Sequence, residues 1–188
     1  MFIQVIEGRA IDAGDVREAL QWWARELSPR AEGWLGTTAG VTGDGLFVGV
    51  TRFATRSAAH RNSDRPEHGQ WWIETAKLFA GEVTFLDCDE VFEYLGGGSD
   101  AAGFVQVTQG RVRDPGRVRE LVRLRQEELA ASRPDLIGGT AALYGDGGYL
   151  ETVYFTGAAA ARPPAMGQLF AGDPDFFELR EPWLYSPR

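Results

Sequence analysis

The sequence contains an internal repeat. Residues 2–55 align with residues 104–157 without a gap, and 19 of the 54 aligned positions are identical. Unrelated chains of ordinary composition would match at roughly one position in fifteen to twenty. The similarity resumes further on, where "LFAGEVTFLDCDE" at 78–90 matches "LFAGDPDFFELRE" at 169–181, with the offset reduced from 102 to 91. The chain is therefore predicted to contain two copies of one fold, the second copy having lost 11 residues.

Both copies have the same predicted order of elements. An alternating, β-rich stretch opens each copy, and Asp12 or Asp114 follows as a helix N-cap. Two β-prone stretches come next, joined by a Gly-Asp-Gly turn. A second helix ("PEHGQWWIETAKLFAG", weaker in "AAAARPPAMGQLFAG") and a final strand ("EVTFLDCDEV" or "DFFELREPWL") complete the copy. Asp64 is expected to cap the second helix of copy one, with Pro66 in its first turn.

This order, strand–helix–strand–strand–helix–strand, is that of a ferredoxin-like fold. Such a sheet carries helices on one face and leaves its other apolar face bare, so two copies are expected to cover each other. The predicted fold class is α+β, with two tandem ferredoxin-like βαββαβ repeats packed sheet to sheet as an intramolecular dimeric α+β barrel. We expect a first, pocket-bearing repeat at 1–94, a glycine-rich linker at 95–102 and a second, reduced repeat at 103–188.

Composition excludes several classes of partner. The net charge of −8 disfavours binding to nucleic acid, and no apolar run approaches the length of a membrane span. No signal peptide is visible, and the single cysteine fits a reducing compartment, so we expect a cytoplasmic protein. Cys88 stands beside two carboxylates, which favours packing over reactivity. One cysteine and two histidines in one region are too few for a structural zinc site, and we expect no metal.

The two copies differ in their aromatic and polar residues. Both histidines and five of the six tryptophans lie in the first copy, and Trp22, Trp23 and Trp34 align with Leu124, Arg125 and Leu136. Aromatic side chains with a few polar groups are typical of a small-molecule pocket. The alternative is that the tryptophans only fill a core.

Among the polar residues, His60 or His68 is a candidate general base, because a histidine pKa lies near neutrality; each has the alternative of a structural hydrogen-bonding role. Arg52 and Arg61 are candidates for holding an anionic group.

The element order, the duplication and the segment "FATRSAAHRNSDRPEHGQWWIETAKLFAGEVTF" resemble the antibiotic biosynthesis monooxygenase-like family of dimeric α+β barrels. The resemblance implies oxidation of polycyclic aromatic substrates without metal or flavin. The family also has a haem-degrading branch, which uses an asparagine on the first strand and a histidine on the second helix. Gln4 stands near the first of these positions, and Gln70 and Trp71 stand beside the second, with His68 nearby.

We therefore expect a small-molecule-binding protein with cofactor-independent monooxygenase activity on an aromatic, polyketide-like substrate. The alternatives are a non-catalytic ligand-binding or stress-related barrel and, third, haem binding through His60 or His68. The expected partner is a small aromatic or hydrophobic molecule, no cofactor is expected, and further homo-oligomerisation stays open. The predicted catalytic residues are His60, Asn62 and Arg52, and the predicted substrate-binding residues are Trp22, Trp34, Phe53, Trp71 and Phe79.

Overall fold

The computed structural model describes residues 1–124, 131–157 and 167–187. The strands in these residues are β1 (Phe2–Ala10), β2 (Trp34–Val41), β3 (Leu46–Phe53), β4 (Phe79–Cys88), β5 (Glu90–Tyr94), β6 (Phe104–Arg111), β7 (Leu136–Tyr144), β8 (Gly148–Phe155), β9 (Asp175–Leu179) and β10 (Trp183–Tyr185). The α-helices are α1 (Ala13–Glu26), α2 (Arg56–Ser63), α3 (Pro66–Ala76) and α4 (Pro115–Leu124). None of the described helices has the length and apolar character needed to cross a membrane.

The strands form two sheets of equivalent topology. The first sheet has the order β10-β2-β3-β1-β4, and the second has the order β5-β7-β8-β6-β9. Within each, four strands follow the ferredoxin-like order, so the predicted pair of ferredoxin-like repeats is confirmed. Even a local irregularity is repeated, because the register shifts between Trp34 and Gly36 in one sheet and between Leu136 and Gly138 in the other.

Each sheet has a fifth strand that the sequence analysis did not separate. The predicted final strand "EVTFLDCDEV" is interrupted at Asp89, and "DFFELREPWL" is interrupted before Trp183. After each interruption the chain adds a strand to the sheet of the other repeat: β5 pairs with β7, and β10 pairs with β2. The prediction of one continuous strand was therefore wrong in both copies. In the second, Pro182 lacks the amide hydrogen that an interior strand position would use.

This exchange of strands explains how the compact units divide. One unit comprises Met1–Asp87 and Trp183–Arg188, the segment that contains strand β10, and the other comprises Cys88–Pro182. The repeats of the sequence and the units of the fold thus have different boundaries. Because Trp183 lies on β10, all six tryptophans belong to the first unit. Intrinsic tryptophan fluorescence therefore reports on that unit alone. The sheet-to-sheet packing of the repeats stays a prediction.

Three of the four described α-helices begin where the sequence predicts. The Asp12 carboxylate accepts hydrogen bonds from the amides of Gly14 and Asp15 at 2.7 and 3.1 Å, and Asp114 accepts one from Arg117 at 3.1 Å. Pro66 occupies the first turn of α3, as predicted.

The predicted cap at Asp64 was wrong. An additional helix, α2, precedes α3 and is capped by Thr55, whose hydroxyl accepts a hydrogen bond from the Ala58 amide at 3.1 Å. Asp64 is instead the C-cap residue of that helix, and Arg65 precedes α3 without a side-chain cap. The weaker helix predicted in copy two falls largely on residues 158–166, outside the described residues; Gly167–Leu169 forms a short 3-10 helix.

Gln106 gives a stability prediction for the second unit. Its side chain is fully buried on β6, and neither its amide nitrogen nor its oxygen has a hydrogen-bond partner in the described part of the chain. Burial of an unpaired amide is costly, so we expect Gln106→Met to raise the free energy of unfolding by about 1 kcal/mol or more. Urea denaturation followed by circular dichroism measures this change.

The aligned residue Gln4 is the matched control for that substitution. Its amide nitrogen donates to the Asp87 carboxylate at 3.1 Å, so Gln4→Met should lower the free energy of unfolding by about 1 kcal/mol. A loss of stability in Gln106→Met would contradict the prediction, because it would mean that a bound water or ligand pairs with the buried amide.

Candidate functional site

The first unit contains a partly open cavity of about 300 Å³ between the helices and the helix-bearing face of its sheet. This volume lies at the lower end of the range for small-molecule sites. Apart from His68, the side chains that line it are uncharged at every pH of interest. They are Gln4, Ile6, Leu20, Trp23, Thr37, Thr51, Phe53, Asn62, Ser63, His68, Gly69, Trp71, Trp72 and Phe85.

A row of polar side chains crosses the sheet at the floor of the cavity. Thr51 on β3 lies directly opposite Gln4 on β1 and Thr37 on β2, so the three side chains share one face. The hydroxyl oxygens of Thr37 and Thr51 are 3.1 Å apart, and the indole of Trp34 donates to Thr37 at 3.0 Å. In the second copy the positions aligned with Thr37 and Thr51 are Gly139 and Val153, so this row is specific to the first unit.

Aromatic rings from α1 and α3 form the opposite wall. The ring centroid of Trp23 lies 5.3 Å from that of Trp34 and 6.2 Å from those of His68 and Trp71. The Trp71 indole nitrogen donates to the Ala19 carbonyl at 3.1 Å and ties α3 to α1. The rings are inclined to that of Trp23 by 76°, 84° and 50°, so the wall presents both faces and edges of aromatic rings to a guest.

Hydrogen bonding fixes the protonation state of His68. The Trp23 indole nitrogen, which can only donate, lies 3.0 Å from His68 Nδ1, so Nδ1 carries no proton and Nε2 carries it. The Asn62 amide nitrogen also approaches Nδ1, at 3.4 Å. Burial, assisted by the positive charge of Arg65, lowers the pKa of His68 from 6.5 to about 4. At neutral pH His68 is therefore a neutral imidazole with an Nε2–H donor.

Arg65 holds this arrangement in place at the break between α2 and α3. Its guanidinium donates to the Asn62 side-chain oxygen and to the Leu27 carbonyl, each at 3.1 Å, and pairs with Glu67 at 3.1 Å. Because the Asn62 oxygen faces Arg65, its nitrogen is directed at His68. The break between the helices thus brings Asn62 and His68 together although they lie on different helices.

The pH dependence of stability follows from the lowered pKa of His68. The unfolded chain binds a proton at this residue below about 6.5, whereas the folded chain binds it only below about 4. The contribution of neutral His68 to the free energy of unfolding is therefore complete above pH 6.5. It decreases as the pH falls towards 4, by at most about 1.4 kcal/mol per pH unit. We expect His68→Gln to flatten this slope in urea titrations followed by tryptophan fluorescence. An unchanged slope in His68→Gln would contradict this prediction.

Three of the eight predicted site residues line the cavity: Phe53, Asn62 and Trp71. Two predicted catalytic residues do not. His60 is exposed, because it lies two positions from Asn62 on α2 and so on the opposite side of the helix. Arg52 is 8% exposed but lies between Thr51 and Phe53 on β3, so strand alternation directs it to the other face of the sheet.

The other three predicted residues, all aromatic, lie outside the cavity lining. Trp22 is 43% exposed, because adjacent helical residues differ by about 100° and Trp23 takes the inward position. Trp34 is buried behind Trp23, and its indole donates a hydrogen bond to Thr37, a member of the polar row. Phe79 is buried against Phe47 with ring centroids 5.4 Å apart.

His68 was predicted only as a candidate general base or haem ligand, and neither it nor Trp23 was among the predicted site residues. A signal for Trp23 existed, since it aligns with Arg125 in the second copy, which has one tryptophan where the first has five. Nothing in the sequence distinguished His68 from His60. The described residues contain no cluster of three or more histidine, cysteine, aspartate or glutamate side chains placed for a metal ion. Haem binding through a histidine stays a prediction.

No protein-family model matches the chain. No curated protein matches it in sequence either. Several solved structures match in fold. Two carry the description "putative monooxygenase". The match to the Lactobacillus acidophilus protein has a TM-score of 0.75 and 14% identity, and it covers 98% of this chain and 95% of that protein. The match to the Fusobacterium nucleatum protein has a TM-score of 0.73 and 10% identity, and it covers 98% of this chain and 94% of that protein. An anthrone oxidase-like protein matches with a TM-score of 0.59, 11% identity and coverage of 97% and 93%. The resemblance drawn from the sequence is thus confirmed for the fold over nearly the whole chain.

Proposed function

We propose that the first unit binds a planar aromatic molecule that carries an oxygen acceptor, and oxygenates it with O₂ without a metal or an organic cofactor. The observation that carries this proposal is the cavity itself, which sets an aromatic wall opposite a row of hydroxyl and amide groups. The fold shared with the monooxygenase and anthrone oxidase-like structures supports the reaction class.

The cavity residues have distinct roles in such a reaction. Trp23, Trp71 and Trp72 contact the rings of the substrate with their faces and edges and exclude water. The Nε2–H of His68 donates to the substrate oxygen and stabilises the enolate form, in which the ring system is electron-rich. The polar row of Gln4, Thr51 and Thr37 orients the opposite edge.

The chemistry balances without a further reductant. A methylene carbon between two aromatic rings loses both hydrogens and gains one oxygen atom from O₂, becoming a carbonyl. The second oxygen atom leaves with the two hydrogens as water. The four electrons that reduce O₂ all come from the substrate carbon, so the protein supplies only orientation, hydrogen bonding and exclusion of water.

The test uses anthrone as the probe. Quenching of tryptophan fluorescence measures binding, and an oxygen electrode measures consumption above the uncatalysed autoxidation of anthrone in buffer. We expect saturable quenching together with one O₂ consumed per carbonyl formed. Binding without oxygen uptake above background would leave a non-catalytic binding protein, and the absence of both would overturn the proposal.

A further inference from the structure

We infer that the cavity selects ligands that ionise without a base from the protein, such as acidic phenols and enols, and binds them as anions. Trp23 is the positioning residue, because its hydrogen bond makes His68 a donor rather than a base. This inference rests on the proposed binding of an aromatic molecule in the cavity and names its substrate class.

The first step concerns where His68 can take up a proton. Its Nε2 already carries one, and its remaining lone pair, on Nδ1, faces the Trp23 indole N–H at 3.0 Å. Protonation at Nδ1 would place its N–H opposite the Trp23 indole N–H, so that two donors faced each other. It would also add a positive charge beside Arg65. His68 therefore does not accept a proton from a substrate while this hydrogen bond holds.

The second step concerns the remaining groups. Besides His68, no residue that lines the cavity in the described part of the chain is acidic, basic, a tyrosine or a cysteine. The charged groups nearby already have partners: Arg65 pairs with Glu67, and Asp87 accepts from Gln4 and lies 3.8 Å from Arg56. The cavity thus offers donors and no base, so the proton must leave the ligand in solution.

The third step concerns selectivity. An anion that accepts from Nε2–H in this partly buried site gains a charge-assisted hydrogen bond. An aromatic ligand of the same shape without an acceptor packs equally well but leaves this partly buried donor without a partner. We expect this difference to weaken binding about tenfold to hundredfold.

The first experiment needs no ligand. In ¹⁵N NMR spectra of the full chain, His68 should show a protonated Nε2 and an unprotonated Nδ1 from pH 8 to pH 5. Trp23→Phe keeps a ring but removes the N–H, and should yield a mixture of tautomers and an imidazolium that appears at higher pH. Trp34→Phe is the matched control, because that indole donates to Thr37 instead. A wild-type imidazolium or an Nδ1–H tautomer at pH 7 would overturn the inference.

The second experiment compares three probes with the same rings: anthrone, 9-methoxyanthracene, which cannot ionise, and anthracene, which has no oxygen. For the wild type, anthrone affinity should rise with pH as the probe ionises, whereas the affinities of the other two stay constant. Trp23→Phe should reduce this preference about tenfold. Equal affinity for all three probes at every pH would overturn the inference, while failure of all three to bind would refute the proposed function instead.

Discussion

Replacement of Trp23 by alanine should lower the free energy of unfolding of the first unit by about 3–5 kcal/mol. The side chain is only 6% exposed, and its ring contacts those of Trp34, His68 and Trp71. Its removal would leave a void where three elements meet and would free His68 Nδ1 from its donor. Urea denaturation followed by tryptophan fluorescence isolates the affected unit, because every tryptophan lies there.

The neighbouring residue provides the control for this substitution. Trp22 is 43% exposed, so Trp22→Ala should change the free energy of unfolding by less than about 0.5 kcal/mol. Equal losses in the two variants would contradict the assignment of Trp23 to the inward face of α1 and, with it, the position of the aromatic wall.

Gly69→Leu should weaken ligand binding by more than about tenfold without destabilising the protein. Gly69 lies within α3 and lines the cavity, and a Cβ built on it would meet no atom within 4 Å. A leucine side chain there would enter open space that the guest needs. Because glycine is a poor helix residue, its replacement should also raise the free energy of unfolding, by about 0.5–1 kcal/mol for alanine.

The alanine variant separates the two effects. Gly69→Ala should gain stability and keep its affinity for anthrone within about threefold, whereas Gly69→Leu should gain stability and lose affinity by more than about tenfold. Fluorescence quenching measures affinity, and thermal unfolding measures stability. Unchanged affinity in Gly69→Leu would place the ligand elsewhere.

The repeated fold could be predicted because its signals are local and occur twice. Asp12 and Asp114 mark the same helix start, and the Gly-Asp-Gly turns mark the same hairpins. The exchange of strands β5 and β10 could not be predicted in this way. Whether a β-prone stretch continues in its own sheet or pairs with β7 or β2 depends on partners distant in the sequence.

The location of the cavity was predictable from the sequence, but the residues that line it were predictable only in part. The concentration of tryptophans in the first copy pointed to the unit that contains this cavity. Which side chains face the cavity depends on how each helix or strand is rotated about its axis. Errors of one or two positions in that rotation led to Trp22 being predicted instead of Trp23, and to Arg52 being predicted on the cavity face of the sheet. His68 required the position of the break between α2 and α3, which the expected cap at Asp64 obscured.

The central claim is that an aromatic ligand occupies the cavity of the first unit. The six indole N–H groups give separate NMR signals, and a titration with anthrone tests the claim directly. We expect the signals of Trp23, Trp71 and Trp72 to shift together and saturate, while that of exposed Trp22 stays in place. Shifts confined to Trp22, or no shift in any indole at saturating anthrone, would contradict the account.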